Sequence, residues 1–93
     1  MVNIQAISGE LTESQLGCTL VHEHLRIRSE AVFMQFPHLY NEEEEFQKAV
    51  KQVKEAKKWG VQTICDPTVM ELGRDIRFME RVVQATGMQM IAA

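Results

Sequence analysis

The sequence lacks the features that mark secreted, membrane-spanning and nucleic-acid-binding chains. It has two cysteines among 93 residues, too few for the disulfide framework of a small secreted domain. No apolar run approaches the ~20 residues needed to cross a bilayer, and the first residues lack the charged and apolar regions of a signal peptide. Lysine and arginine total 10 against 13 acidic residues, so no basic surface for nucleic acid is predicted. A cytoplasmic protein that binds neither membrane nor nucleic acid is the expectation.

The composition that is present is typical of a globular α/β chain. Hydrophobic residues make up 45% and charged residues 25%, which argues against disorder. Residues 18–24 form an apolar run that contains the β-branched Thr19 and Val21 and follows Gly17. This composition predicts a buried β-strand.

The end of that predicted strand, His22-Glu23-His24, is the candidate metal site. Residues two apart on a strand point to the same side, so Leu20, His22 and His24 are expected to share one face. Two adjacent imidazoles can hold one divalent ion, whereas a lone histidine on an apolar face is more often a packed core residue. Zinc takes about four ligands, of which three usually come from the protein in a catalytic site. Further ligands are therefore needed from elsewhere.

A repeating pattern of helix, glycine and strand follows a long connection over residues 25–41. Residues 1–16 fit a short strand or hairpin arm. The later predicted elements are a helix from its N-cap Asn41 to Gly60, a strand over 61–65, a helix over about 75–86 that ends at Gly87, and a strand over 88–93. Short turns between helix and strand predict parallel strands with right-handed crossovers.

This pattern leaves two α/β architectures, a doubly wound sheet and a (β/α)8 TIM barrel. The first connection lacks a glycine-rich phosphate-binding loop, which counts against a nucleotide-binding doubly wound sheet. Histidines at the C-terminal end of a strand suit a barrel, whose sites lie at that face. A barrel needs eight strands and ~250 residues, so residues 1–93 are interpreted as the N-terminal segment of a barrel domain, with three strands and two helices. The helices would cover one side of the sheet, and the other side and two edges would be open.

Several segments of the chain resemble the phosphotriesterase family, and within it the phosphotriesterase-like lactonases. The matching segments are residues 17–25, 29–32, 37–42, 66–70 and 72–80. They occur in the same order and cover essentially the whole chain.

The resemblance implies an amidohydrolase-type barrel, often a homodimer, with two divalent metals at its C-terminal mouth. By resemblance, His22 and His24 bind the more buried metal. A carboxylated lysine, two further histidines and an aspartate come from later strands and have no counterpart before Ala93. The implied reaction is the hydrolysis of a lactone, or of an organophosphate triester as a promiscuous substrate, by a metal-bound hydroxide. Zinc, cobalt, nickel and iron all suit histidine ligands, and no catalytic residue beyond the two ligands is assigned.

The alternative hypothesis is an inactive βα fragment that self-associates through its open face and traps metal between copies. Its partners would be copies of the chain under this hypothesis, and the complementing remainder of the barrel under the enzymatic one. His38, in the long connection, is not counted as a ligand. Asp66, at the end of the second parallel strand, is expected to cap the turn before Thr68, with an outer-shell hydrogen bond to a ligating imidazole as the other role.

Overall fold

Strands and helices alternate along most of the chain in this computed structural model, which describes residues 2–93. Met1, the first residue of the predicted segment 1–93, lies outside the described residues. The elements are β1 Asn3–Ala6, β2 Gly9–Thr12, β3 Cys18–Leu20, α1 Glu30–Gln35, α2 Glu42–Lys58, β4 Val61–Asp66, α3 Ile76–Thr86 and β5 Gln89–Ala92. Single 3-10 turns occupy Glu13–Gln15, Pro37–Leu39 and Met70–Leu72.

The first two strands form the predicted hairpin arm. β1 and β2 pair antiparallel, with Ala6 opposite Gly9 at the turn. The backbone N–H of Ile7 donates to the carbonyl of Met90 at 2.8 Å, so the arm lies against β5. The expectation of two open sheet edges is therefore wrong at this point, because the arm satisfies part of the β5 edge.

The three remaining strands form a parallel sheet in the order β3-β4-β5. The segment that joins β3 to β4 contains α2, and the segment that joins β4 to β5 contains α3. Both helices pack on one side of the sheet over a buried core that includes Val53, Ile64, Val82 and Met90. The α/β class and the parallel pairing are confirmed, and the three-stranded sheet is compatible with part of a barrel.

The two long helices begin where their capping residues predict. The side chain of Asn41 accepts a hydrogen bond from the backbone N–H of Glu44 at 3.0 Å, which satisfies one of the free donors at the start of α2. Asp75 does the same for Phe78 at the start of α3, at 3.1 Å. At the end of α3, Gly87 takes the left-handed conformation, with φ of 73°, which a residue with a side chain adopts at a cost.

The first parallel strand is shorter than predicted. β3 ends at Leu20, not at residue 24, because its register with β4 shifts after Cys18 and regular pairing stops where Leu20 lies opposite Ile64. Leu20 packs against the core on the helix side. The prediction that Leu20 lies on an open face is therefore wrong.

The side of the sheet opposite the helices is only partly open. The alternation around Ile64 and Met90 places Thr63, Cys65 and Ile91 on this side. Thr63 is fully buried and donates to the carbonyl of Leu16 at 2.6 Å. The segment before β3 thus closes the N-terminal end of this face, while Cys65 and Ile91, nearer the C-terminal end, are half-buried.

Candidate metal centre

The two histidines lie just beyond β3, at the C-terminal end of the parallel sheet. Their chain segment follows β4 through two hydrogen bonds: the N–H of Glu23 donates to the carbonyl of Cys65 at 3.2 Å, and the N–H of Leu25 donates to Asp66 Oδ2 at 3.1 Å. The rings of His22 and His24 are adjacent, with centroids 5.2 Å apart and planes at 82°. Hydrogen bonds to β4, rather than strand alternation, place them at this end of the sheet.

His24 is tied to a buried pair of residues at the end of β4. Its Nδ1 lies 2.6 Å from Thr68 Oγ1, and the Thr68 hydroxyl donates in turn to Asp66 Oδ1. The distance from His24 Nδ1 to Asp66 Oδ1 is 3.8 Å, beyond the length of a hydrogen bond, so the connection runs through the hydroxyl. Thr68 and Asp66 are each 1% exposed, which isolates this connection from solvent.

Asp66 also caps the turn that follows β4, as predicted. Its Oδ1 accepts from the backbone N–H of Thr68 at 2.9 Å, which is the pattern by which an aspartate stabilises a turn two residues on. The same carboxylate therefore fixes the turn, the backbone after His24 and, through the Thr68 hydroxyl, the His24 ring. The role of Thr68 was missed from the sequence. The only signal was its position two residues after a strand-ending aspartate.

The imidazole of His24 keeps an accessible side. It borders a cavity of about 100 Å³ whose walls include Leu20, Gln52 and Val53, and its side chain is 22% exposed. The ring is therefore held on one nitrogen and is not enclosed.

The spacing of the two rings fits two ligands of one metal ion. Zinc–nitrogen bonds are about 2.0–2.1 Å, so two imidazoles on one tetrahedral zinc have ring centroids about 5 Å apart. The observed 5.2 Å agrees with that spacing. Within residues 2–93, however, no group of three or more histidine, cysteine, aspartate or glutamate side chains could hold a metal. His22 and His24 lie side by side, and the described residues form no complete metal site.

The third histidine does not join this group. His38 lies in the 3-10 turn Pro37–Leu39, with its ring edge-on to Phe36 at 6.2 Å between centroids. The contact with Phe36 in the same loop accounts for the position of the His38 ring.

Two arginines that follow the histidines were not singled out from the sequence. Arg26 Nη1 binds Glu42 at 2.8 Å and Glu45 at 3.0 Å. The guanidinium carbon of Arg28 lies 3.5 Å from the centroid of the Phe33 ring. Arg26 thus anchors the segment after the histidines to α2, and Arg28 packs on an aromatic ring within the same connection. The carboxylate partners of Arg26 are 16 and 19 residues away, and no local pattern marks that pairing.

The chain is similar in sequence to known proteins. A sequence model of the phosphotriesterase family matches residues 2–93. The chain belongs to the phosphotriesterase family. It is 59% identical over 92 residues to a protein of Saccharolobus solfataricus named aryldialkylphosphatase. The alignment covers 98% of this chain and 29% of that protein. It is 33% identical over 94 aligned positions to the phosphotriesterase homology protein of Mycobacterium tuberculosis, which covers all of this chain and 29% of that protein.

Membership of the phosphotriesterase family confirms the resemblance seen in the sequence. It indicates a hydrolase family and suggests divalent metals as cofactors. The chain spans about 29% of the length of these curated relatives. Among the described residues, no helix is long and apolar enough to span a membrane.

Proposed function

We propose that the chain is the N-terminal part of a (β/α)8 barrel hydrolase that uses two divalent metal ions to cleave lactones, with phosphotriesters as promiscuous substrates. The observation that carries the proposal is the adjacency of the His22 and His24 rings, at a spacing that suits one shared ion, at the C-terminal end of a parallel sheet. Metal sites of barrel enzymes lie at that end. The family match over residues 2–93 supports the same class of chemistry.

The residues of this chain would supply ligands and hold them in place. His22 and His24 would each offer one ring nitrogen to the more buried ion. Bound there, divalent ions would supply the chemistry of lowering the pKa of a water molecule and polarising the carbonyl or phosphoryl oxygen of the substrate. The hydrogen bonds from Glu23 and Leu25 to the end of β4 would keep the two rings together. The bridging lysine and the other ligands would come from the rest of the barrel.

A chimera tests this proposal. The aligned N-terminal 92 residues of the Saccharolobus solfataricus relative are replaced by this chain, at 59% identity, and lactone hydrolysis and bound metal are measured. We expect the chimera to hydrolyse lactones, and we expect H22A and H24A each to lower kcat/KM by more than ~100-fold and to lose metal. Loss of outer-shell partners alone costs about 10–100-fold, and loss of a ligand should cost more.

His38→Ala is the matched control, because His38 is exposed and lies in the connection near Phe36. It should leave kcat/KM and metal content unchanged. Full activity and full metal content in H22A would show that the metal assignment is wrong.

We also propose that the chain on its own associates with copies of itself. The contact would form at the C-terminal end of the sheet side that lies away from the helices. Val21 is 75% exposed directly after β3, and Cys65 and Ile91 are only half-buried on the side away from the helices. Apolar surface of this kind favours association.

A further inference from the structure

We propose that Thr68 and Asp66 are positioning residues that hold His24 as the Nδ1–H tautomer and leave Nε2 with its lone pair free for a ligand. The observation is the continuous connection from His24 Nδ1, 2.6 Å from the Thr68 hydroxyl, to the carboxylate of Asp66. The assignment of the tautomer does not depend on the identity of the metal or on the other ligands.

The count of protons along the connection selects the tautomer. A carboxylate has only acceptor atoms, and a hydroxyl has one proton to donate. The Thr68 hydroxyl donates that proton to Asp66 Oδ1. Its oxygen can then only accept from His24 Nδ1, so Nδ1 must carry a proton. In a neutral imidazole with a proton on Nδ1, the lone pair is on Nε2, and the hydrogen bond of one ring nitrogen commonly sets the metal-binding state of the other.

Burial makes this arrangement persistent. Asp66 and Thr68 are each 1% exposed, so bulk water cannot easily replace either partner. The carboxylate is itself fixed by two backbone donors, the N–H of Thr68 and the N–H of Leu25. Because Leu25 directly follows His24, one side chain orients both the ring and the backbone beside it.

His22 differs from His24 in this respect. It is exposed, and among residues 2–93 its ring contacts the edge of His24 without a hydrogen-bonded partner of its own. The two imidazoles therefore differ in how they are held. Hydrogen bonding fixes the ring orientation and the tautomer of His24, whereas the ring of His22 is free to adjust. The role of His24 as a metal ligand rests on the proposed function, but the tautomer does not.

Nuclear magnetic resonance of the uniformly 15N-labelled chain tests the tautomer directly. Long-range proton–nitrogen correlation spectra of the three imidazoles are recorded at alkaline pH, where free imidazole is neutral, and are assigned with H22Q and H38Q. We expect His24 to show the Nδ1–H pattern, and His22 and His38 to show an average of both tautomers. An Nε2–H pattern for His24 in the wild-type chain would overturn the proposal without any variant at Thr68.

Variants of Thr68 separate the hydroxyl from packing. T68V keeps the shape but removes the hydroxyl, and T68S keeps the hydroxyl. We expect His24 to become an average of both tautomers in T68V and to stay Nδ1–H in T68S. In the chimera, zinc affinity should fall about 10–100-fold in T68V and recover in T68S. An unchanged His24 spectrum in folded T68V would contradict the proposal, and if T68V does not fold, the wild-type and T68S spectra decide.

The outcome also separates this inference from the proposed function. An Nδ1–H pattern for His24 together with unchanged metal content in the H22A chimera would leave the tautomer intact and reject the metal site. An Nε2–H pattern together with metal loss in H22A would do the reverse.

Discussion

At the scale of single residues, Arg26 joins the starts of the two long helices. Its side chain is 7% exposed and binds Glu42 and Glu45 of α2, and Asp75 at 3.5 Å, which caps α3. Its guanidinium carbon lies 3.9 Å from the centroid of the Phe78 ring. Carboxylates are favoured at the positive end of a helix dipole, but three of them close together repel one another. Arg26 offsets that repulsion and, one residue after Leu25, keeps the histidine segment in place.

Arg26→Met tests this role. We expect it to lower the free energy of unfolding by about 2 kcal/mol, since hydrogen bonds to charged groups contribute about 1.5–3 kcal/mol and the carboxylates are partly exposed. Urea denaturation measures the change. R81M is the control, because Arg81 is 45% exposed and lies 3.7 Å or more from its carboxylate partners, and it should cost less than about 1 kcal/mol. Equal losses in the two variants would contradict the bridging role.

What could be predicted of single residues depended on the distance between partners in sequence. The cap at Asp66 acts two residues away, and the spacing of His22 and His24 is visible in the chain. The partners of Arg26 lie 16–49 residues away, and Thr68 lies 44 residues from His24. Such pairings require the fold, which is why the sequence singled out His22 and His24 and missed the contact between Thr68 and His24.

At the scale of elements, the turn from β4 to α3 is packed against the segment that follows the histidines. Gly73 takes a left-handed conformation, with φ of 87°, and a Cβ there would lie 2.6 Å from Cγ of Arg28. Arg28 is 7% exposed, and its backbone N–H donates to the carbonyl of Leu72 at 3.0 Å. The turn and the segment after the histidines therefore hold one another in place.

Gly73→Ala should destabilise the chain by more than the left-handed conformation alone requires. That conformation costs a residue with a side chain about 1–2 kcal/mol, and the contact with Arg28 should add about 1 kcal/mol or more. Gly60→Ala is the control, since Gly60 has a similar φ of 96° with nothing within 4 Å of an added Cβ. Thermal unfolding compares the two, and a G73A loss no larger than that of G60A would show that the contact with Arg28 is unimportant.

The ends of the helices were predictable because residues close in sequence determine them. The end of β3 was not predictable in this way. Asn41 and Asp75 cap α2 and α3 with bonds to residues three positions on. β3 ends where its register with β4 ends, at Leu20, and that depends on a strand forty residues later in the chain. The run of apolar and β-branched residues through Val21 suggested a longer strand than the partner supports.

At the scale of the whole molecule, helices cover one side of the parallel sheet. On the other side, the segment before β3 covers only the N-terminal end. Val21, directly after β3, is 75% exposed. Parallel pairing was predictable from the short helix-to-strand turns. The (β/α)8 barrel stays a prediction, since three parallel strands fit more than one architecture.

Val21→Lys tests the proposed self-association. Placing a charge on this exposed apolar position should weaken association by at least ~10-fold in sedimentation equilibrium, because an ammonium buried between copies costs far more than the apolar contact contributes. Trp59→Lys is the control: Trp59 is 79% exposed at the end of α2, on the helix side. A monomeric wild-type chain, or equal weakening by both variants, would contradict association through this face.

The central claim is that His22 and His24 share one metal ion, and the position of that ion tests it most directly. A crystal structure of the zinc-loaded chimera, with the metal located by anomalous scattering, gives the two distances. We predict an ion about 2.0–2.1 Å from one nitrogen of each imidazole, with Nε2 as the nitrogen on His24. An active, fully loaded chimera in which neither ring touches an ion would contradict the claim.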